Sequence, residues 1–118
     1  MTTQEYESGI PHLTVEDTHK RRSSGDITLI DVRTQEEWGQ TGVPAGAHRA
    51  TLQDTDFVQQ IESIAKASGD KPIAFTCALG GRSLQAAIIA HQHGMETVFN
   101  VDGGFAAWDA ANLPVDPA

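Results

Sequence analysis

The residues best suited to chemistry lie in one short segment that contains the only cysteine of the chain. Cys77 opens the run Cys-Ala-Leu-Gly-Gly-Arg-Ser, residues 77–83. A strand-like run, 72–76, precedes this segment, and an apolar, helix-like run, 84–93, follows it. In such a loop, backbone N–H groups and a helix N-terminus both favour the thiolate, which is the nucleophilic form of cysteine. A buried cysteine that only packs is the alternative, but the loop context favours a reactive thiol.

The other residues of this segment indicate how the sulfur could be held. Glycines at 80 and 81 can take the positive φ angles that turn successive N–H groups inward. Arg82 could bind an anionic substrate or clamp the loop to a carboxylate, and it could also be an ordinary surface arginine. Ser83 could cap the following helix and donate its hydroxyl toward the sulfur, the cap being the expected role. The predicted active loop comprises Cys77, Ala78, Leu79, Gly80, Gly81, Arg82 and Ser83.

A second group of candidates lies at the end of the most regular strand-like run, 27–32. Its apolar composition is typical of a central strand covered on both faces. Asp31 and Arg33 stand at its carboxyl end, the edge where open α/β sheets place their sites. Asp31 could bond the loop backbone or pair with Arg82, and Arg33 could line the pocket. Both residues could equally satisfy only local groups at the strand end.

Strand-like and helix-like runs alternate along the chain, which predicts an α/β fold with a mainly parallel central sheet of about five strands. Helices are expected on both faces of that sheet. Residues 42–46 are predicted to be a loop from their composition. The predicted strands are 10–13, 27–32, 47–50, 72–76 and 96–101. The predicted helices open at Thr14, Thr34, Asp54 or Thr55, Leu84 and just after Gly104.

Composition and charge set the class of protein. The 118 residues fit one domain, 1–118, with a core from about 10 to 115. A formal charge of −8 argues against nucleic acid or an anionic membrane as a partner. The N-terminus lacks the pattern of a secretory signal, and no apolar run is long enough to span a bilayer, so we expect a cytoplasmic protein. No phosphate-binding fingerprint or metal-ligand spacing is present, so neither a cofactor nor a metal is expected.

Four segments together resemble the rhodanese-like domain family. Each is a weak signal alone, but the four occur in the family's order and spacing over about 10–115. They are Ile-Thr-Leu-Ile-Asp-Val-Arg at 27–33, Glu37-Trp38 with 42–47, Cys-x-x-Gly-x-Arg-Ser at 77–83, and Asn-Val-Asp-Gly-Gly-Phe-Ala-Ala-Trp at 100–108. One departure is visible: the family's Gly-His-Ile-Pro-Gly-Ala reads Gly-Val-Pro-Ala-Gly-Ala at 42–47, so Val43 replaces the histidine. The resemblance implies the family's three-layer α/β fold.

The resemblance also implies a sulfurtransferase. Cys77 would take the outer sulfur of thiosulfate or of a persulfide and carry it as a persulfide, and cyanide or a thiol would remove it. The six residues from Cys77 to Arg82 correspond to the short loop of the sulfur-transferring members. Related phosphatases and arsenate reductases carry one residue more, so an enzyme of that kind is the less favoured alternative.

A non-enzymatic alternative is a persulfide carrier or sensing module that serves a partner such as a cysteine desulfurase. The expected partners are therefore a small-molecule sulfur donor and acceptor (thiosulfate, cyanide or thiols) or a sulfur-relay protein. Selectivity is expected to come from the rim of the site, for which the candidate residues are Arg33, Arg49, Leu79 and the segment around Trp38.

Overall fold

A parallel five-stranded sheet forms the centre of the protein, as the alternating runs predict. The computed structural model describes residues 9–118. Its strands are β1 His12–Leu13, β2 Thr28–Asp31, β3 Val43–Pro44, β4 His48–Arg49, β5 Ile73–Thr76, β6 Val98–Val101 and β7 Val115–Asp116. Its helices are α1 Val15–Ser23, α2 Gln35–Thr41, α3 Phe57–Ala67, α4 Gly81–Gln92 and α5 Gly104–Ala110. No helix among the described residues is long and apolar enough to cross a membrane.

The strand order in the main sheet is β1-β6-β5-β2-β4, and all of its pairings are parallel. Alternate residues of the central strands point to opposite faces. On β2, Leu29 packs with residues of α1 and α5, whereas Ile30 packs with residues of α3 and α4. Helices thus cover both faces, and the predicted three-layer α/β architecture is confirmed. The carboxyl ends of β2, β5 and β6 meet at one edge of the sheet.

Two helix starts agree with their predicted caps, and one does not. The Thr14 side chain accepts the amide of Asp17 at 3.1 Å before α1. Before α2, Thr34 and Glu37 form a reciprocal capping box. The start predicted for α3 at Asp54 or Thr55 is wrong: the helix begins at Phe57, because the preceding residues form turns in which Asp54 and Phe57 donate to backbone carbonyls.

The loop predicted at 42–46 contains a short strand. β3 pairs in antiparallel fashion with β7, with Val43 opposite Asp116 and Pro44 opposite Val115. The amide of Gly46 also donates to the Asp116 carboxylate at 2.9 Å. The composition of 42–46 could not indicate this ribbon, because its partner strand comes from the far end of the chain.

Candidate active site

Cys77 follows the last residue of β5, at the edge where the parallel strands end. The residue is 1% exposed, so its sulfur lies at the bottom of the loop rather than on the surface. The amide of Gly80 donates to the sulfur at 3.0 Å, and the Ser83 hydroxyl lies 3.2 Å from it. The loop therefore bends around the sulfur and presents polar hydrogens to it, as the sequence predicts.

Helix α4 begins earlier than the sequence suggests. Gly80 takes a left-handed conformation with φ of 115° and acts as its N-cap, and the helix starts at Gly81 rather than at Leu84. The prediction that Ser83 caps this helix is therefore wrong. Ser83 instead lies in the first turn, fully buried, with its hydroxyl turned toward Cys77. Glycine suits position 80 because a side chain would be strained at this φ.

A buried polar chain continues from Ser83 to the neighbouring strand. The Ser83 hydroxyl oxygen lies 2.5 Å from the Asn100 carbonyl oxygen, and the Asn100 amide donates to the Gly80 carbonyl at 3.2 Å. The same amide lies 3.4 Å from a ring nitrogen of His12. The Ser83 hydroxyl has one hydrogen and three acceptors within reach, the sulfur, the Asn100 carbonyl oxygen and, at 3.3 Å, the Gly80 carbonyl, so Asn100 influences whether that hydrogen points at Cys77. The sequence contained Asn100 only within a family-like motif, and its contact with Ser83 was not predicted.

Two opposing effects act on the thiol. Burial raises the pKa of Cys77, but the Ser83 hydroxyl and the amides of Ser83, Gly80 and Leu79 lower it, and the net pKa lies below that of an ordinary thiol. Because the charged form is favoured, a larger share of Cys77 is thiolate at neutral pH. The site can therefore hold a sulfur nucleophile, or a charged sulfur attached to it.

We expect Ser83→Ala to raise the pKa of Cys77, because the hydroxyl bonds the charged sulfur. Alkylation of Cys77 by iodoacetamide should slow by about tenfold at neutral pH, since a hydrogen bond to a charged group is worth about 1.5 kcal/mol or more. The midpoint of the rate against pH should move to higher pH, and the rates of both proteins should converge once each thiol is ionised. An equal slowing at every pH would show instead that Ser83 acts on access to the sulfur.

The first turn of α5 fixes the other side of the loop. The amide of Phe105 donates to the Cys77 carbonyl at 2.7 Å, and the amide of Ala106 donates to the Ala78 carbonyl at 3.1 Å. Gly104 approaches so closely that a Cβ atom there would lie 2.5 Å from the Cys77 carbonyl oxygen. The Gly103-Gly104 pair thus has a structural purpose: it lets α5 dock its N–H groups on the backbone of the active loop.

Asp31 and Arg33 pair with each other. Arg33 Nη2 lies 2.9 Å from an Asp31 carboxylate oxygen, and the two side chains are 3% and 0% exposed. The guanidinium of Arg33 also donates to the Gly42 carbonyl and the Thr41 hydroxyl, and it lies over the ring of Phe105, 4.5 Å from its centroid. Of the alternatives considered for these two residues, the local one holds: Asp31 bonds Arg33 rather than Arg82, and Arg33 is buried rather than lining the pocket. Because Arg33 follows Asp31 by only two residues, its guanidinium pairs with that carboxylate at the strand end and does not extend toward Cys77.

Arg82 clamps the loop to a carboxylate that the sequence did not single out for this role. Its two terminal nitrogens each lie 2.8 Å from an oxygen of Glu37, in bidentate geometry. The hydrogen bonds from Arg82 lower the pKa of Glu37 to about 2, against the opposing effect of burial. Glu37 also completes the capping box of α2, so a single side chain both starts a helix and holds the active loop.

The rim beyond the loop combines apolar and aromatic groups. Leu79 is 76% exposed at the tip of the loop. Arg49 lies over the ring of Trp38, 5.8 Å from its centroid, and donates to the Pro117 carbonyl. Trp108 is instead buried and donates to the Pro114 carbonyl at 2.8 Å, so it belongs to the core.

One known protein family has a model that matches most of this chain. The model is described as "Rhodanese-like domain", and the match runs over residues 14–111. This chain belongs to the rhodanese-like domain family. The matched residues include the Asp31–Arg33 pair, the active loop and the docking turn of α5, which are the parts that build the site.

Individual relatives of this rhodanese-like domain have more than one described chemistry. The thiosulfate sulfurtransferase GlpE of Vibrio cholerae is 29% identical over 105 residues, covering 89% of this chain and 93% of that protein. A Rhodopseudomonas palustris structure, described as a protein of unknown function and possible tyrosine phosphatase, is 31% identical with a TM-score of 0.81, covering 96% and 89% of the two chains. The polysulfide-sulfur transferase homodimer of Wolinella succinogenes is 25% identical with a TM-score of 0.69, covering 98% and 88%.

The segment in which this chain departs from the pattern of the rhodanese-like domain family is well anchored. Val43, which stands in place of the family's histidine, is 1% exposed, so it contributes an apolar side chain to the interior. Gly42 has φ of 75°, and its carbonyl accepts from Arg33 at 2.9 Å. Arg33 thus holds this segment and the first turn of α5 at once.

Proposed function

We propose that this rhodanese-like domain is a sulfurtransferase that carries a sulfane sulfur as a persulfide on Cys77. The observation that carries the proposal is the sulfur of Cys77, which accepts the amide of Gly80 and faces the Ser83 hydroxyl in a loop that favours its charge. Membership of the family and the likeness to two named sulfurtransferases support the same chemistry. Thiosulfate or a persulfide is the proposed donor, and cyanide or a thiol is the proposed acceptor.

The reaction needs no external oxidant. The Cys77 thiolate attacks the outer sulfur of the donor, a new S–S bond forms, and the donor's own bond to that sulfur breaks. The leaving group departs with the electron pair, as sulfite from thiosulfate or as a thiolate from a persulfide. An acceptor then attacks the terminal sulfur of the persulfide, and Cys77 leaves as a thiolate. N–H groups of the loop stabilise the negative sulfur in each state.

A phosphatase is the second candidate, because the similar Rhodopseudomonas palustris structure is described as a possible tyrosine phosphatase. Two features of the site argue against it. The nucleophile is 1% exposed, which suits a slim terminal sulfur better than a tetrahedral phosphate ester. Arg82 is bound in bidentate fashion by Glu37, whereas an arginine that holds a phosphate needs its guanidinium directed at the ligand.

The experiment is to incubate the protein with thiosulfate or with an organic persulfide and to measure its intact mass, then to add cyanide and assay thiocyanate. We expect a gain of one sulfur atom that cyanide removes, and no gain in Cys77→Ser. Repeated turnover would distinguish an enzyme from a carrier, which would load from a persulfide but release little thiocyanate. Hydrolysis of an aryl phosphate, without any sulfur gain, would contradict the proposal and favour the phosphatase.

A further inference from the structure

The charge on Arg82 is balanced by its partner, Glu37, at the end of the active loop. The guanidinium and the Glu37 carboxylate meet in bidentate geometry at 2.8 Å, and their side chains are 30% and 26% exposed. The pKa of Arg82 is raised mostly by its hydrogen bonds to Glu37, and the charge of Cys77 raises it further. The charge of Arg82 therefore interacts with the charge on the sulfur, but the Glu37 carboxylate beside it offsets most of that interaction.

Among the described residues, no other lysine or arginine forms an ion pair or a side-chain hydrogen bond with the active loop. The chain has eight lysines and arginines. Helices α1 and α3 begin near the carboxyl ends of the strands, where Cys77 lies, and they end at the opposite edge of the sheet. Five of the eight cations stand at or just after the ends of these two helices and are therefore far from Cys77: Lys20, Arg21, Arg22, Lys66 and Lys71. Arg33 is buried against Asp31, and Arg49 lies over Trp38 and donates to a backbone carbonyl. Around the sulfur itself, Ala78, Gly80 and Gly81 add no charge.

These facts bear on the donor. Thiosulfate is a small dianion, and the active loop offers it N–H dipoles and the Ser83 hydroxyl but no uncompensated cation, in a protein of net charge −8. Leu79, 76% exposed at the tip of the active loop, instead offers an apolar contact to the carbon framework of a donor. A persulfide on an uncharged organic thiol has such a framework and concentrates its charge on the sulfur that is transferred.

We propose that Glu37 is a specificity-determining residue, which withholds the charge of Arg82 and so makes Cys77 favour sulfur from persulfides of uncharged thiols over thiosulfate. The inference rests on the proposed function, since it concerns the donor for the same Cys77 persulfide. Glu37→Gln isolates the charge: glutamine can keep the capping box of α2 and one bond to Arg82, but it no longer neutralises the guanidinium.

The first test measures the electrostatic potential at the sulfur without relying on sulfur transfer. Iodoacetate and iodoacetamide are nearly equal in size and alkylate the same thiolate, but only iodoacetate is an anion. At low ionic strength, Glu37→Gln should raise the iodoacetate-to-iodoacetamide rate ratio at Cys77 by about fivefold, the size expected for one unit charge near a partly exposed site. The double variant Glu37→Gln with Arg82→Gln should return the ratio to the wild-type value.

Glu36→Gln is the matched control. It removes the same formal charge from the exposed residue that precedes Glu37 in α2, and it leaves the Arg82 pair intact. Its ratio should stay close to that of the wild type. Two outcomes would overturn the proposal. An unchanged ratio in Glu37→Gln would show that the Glu37–Arg82 pair does not control the potential at the sulfur. An equal rise in Glu36→Gln would show that only the net charge of the protein matters.

The second test uses the transfer reaction. In Glu37→Gln the kcat/KM for thiosulfate should rise by about fivefold relative to the kcat/KM for the persulfide of 2-mercaptoethanol, because any effect on the active loop acts on both donors whereas the released charge acts mainly on the dianion. Equal changes for both donors would contradict the specificity role. If no variant takes sulfur from either donor while the alkylation ratio still responds, the proposed function itself fails, and the inferred donor class fails with it.

Discussion

Replacing Asp31 with asparagine is expected to lower the free energy of unfolding by about 3–5 kcal/mol, the cost of leaving a buried charge without its partner. Asp31 is 0% exposed, and its carboxylate accepts the backbone amide of Arg33 as well as two of its guanidinium nitrogens. An asparagine has one acceptor oxygen, so its NH₂ group would face donors of Arg33. Urea unfolding followed by tryptophan fluorescence measures the change.

Asp17→Asn provides the matched comparison. Asp17 also pairs with an arginine, Arg21, but both side chains of that pair are 42% exposed. We expect this variant to lose at most about 0.5 kcal/mol, because exposed pairs four residues apart on a helix contribute little. Similar losses in the two variants would mean that burial does not set the strength of the Asp31–Arg33 pair.

Replacing Gly104 with alanine is expected to reduce sulfur transfer by about 100-fold, the effect of moving a catalytic group by roughly 1 Å. The new Cβ would lie 2.5 Å from the Cys77 carbonyl oxygen and 2.7 Å from the Ala78 carbonyl carbon, so the active loop would have to move away from α5. The movement would also weaken the bonds from Phe105 and Ala106 to the loop. Thiocyanate production under single-turnover conditions measures the loss.

Gly103→Ala is the control for backbone strain, because Gly103 also has a positive φ, 78° against 56° at Gly104. Its new Cβ would lie 2.6 Å from the Cβ of Ala107 in α5, and no atom of the active loop is within 4 Å of it. We expect Gly103→Ala to lose about 1 kcal/mol of stability through its positive φ and more through this contact, while transfer falls by less than about threefold. Equal losses of transfer in both variants would refute the idea that Gly104 acts through its contact with the loop.

The sequence predicts the main sheet well because local patterns determine it. The apolar run of β2 and the run before Cys77 each form a buried strand, and Thr14 and Thr34 cap their helices through side-chain bonds three residues away. The ribbon of β3 and β7 could not be predicted, since two short segments 70 residues apart hold each other through a few bonds. The start of α4 was misplaced because Gly80, and not Ser83, supplies the cap.

The candidate site shows the same division between local and distant information. The active loop and its nucleophile follow from one continuous motif. The partners of that loop do not: Glu37 reaches Arg82 across 45 positions, and Asn100 reaches Ser83 across 17. For Asp31 and Arg33 the local alternative holds, because a carboxylate buried at a strand end pairs with the cation two residues away.

The contact between α5 and the active loop also makes two amide hydrogens observable reporters of that loop. The N–H groups of Phe105 and Ala106 lie in the first turn of a helix, where no carbonyl of the same helix can accept them. Their acceptors are the carbonyls of Cys77 and Ala78. Exchange of these two hydrogens with solvent deuterium therefore follows the opening of the loop and not the fraying of α5. Loading the sulfur, or substituting Gly104, would register at these two sites before any change in the rest of the helix.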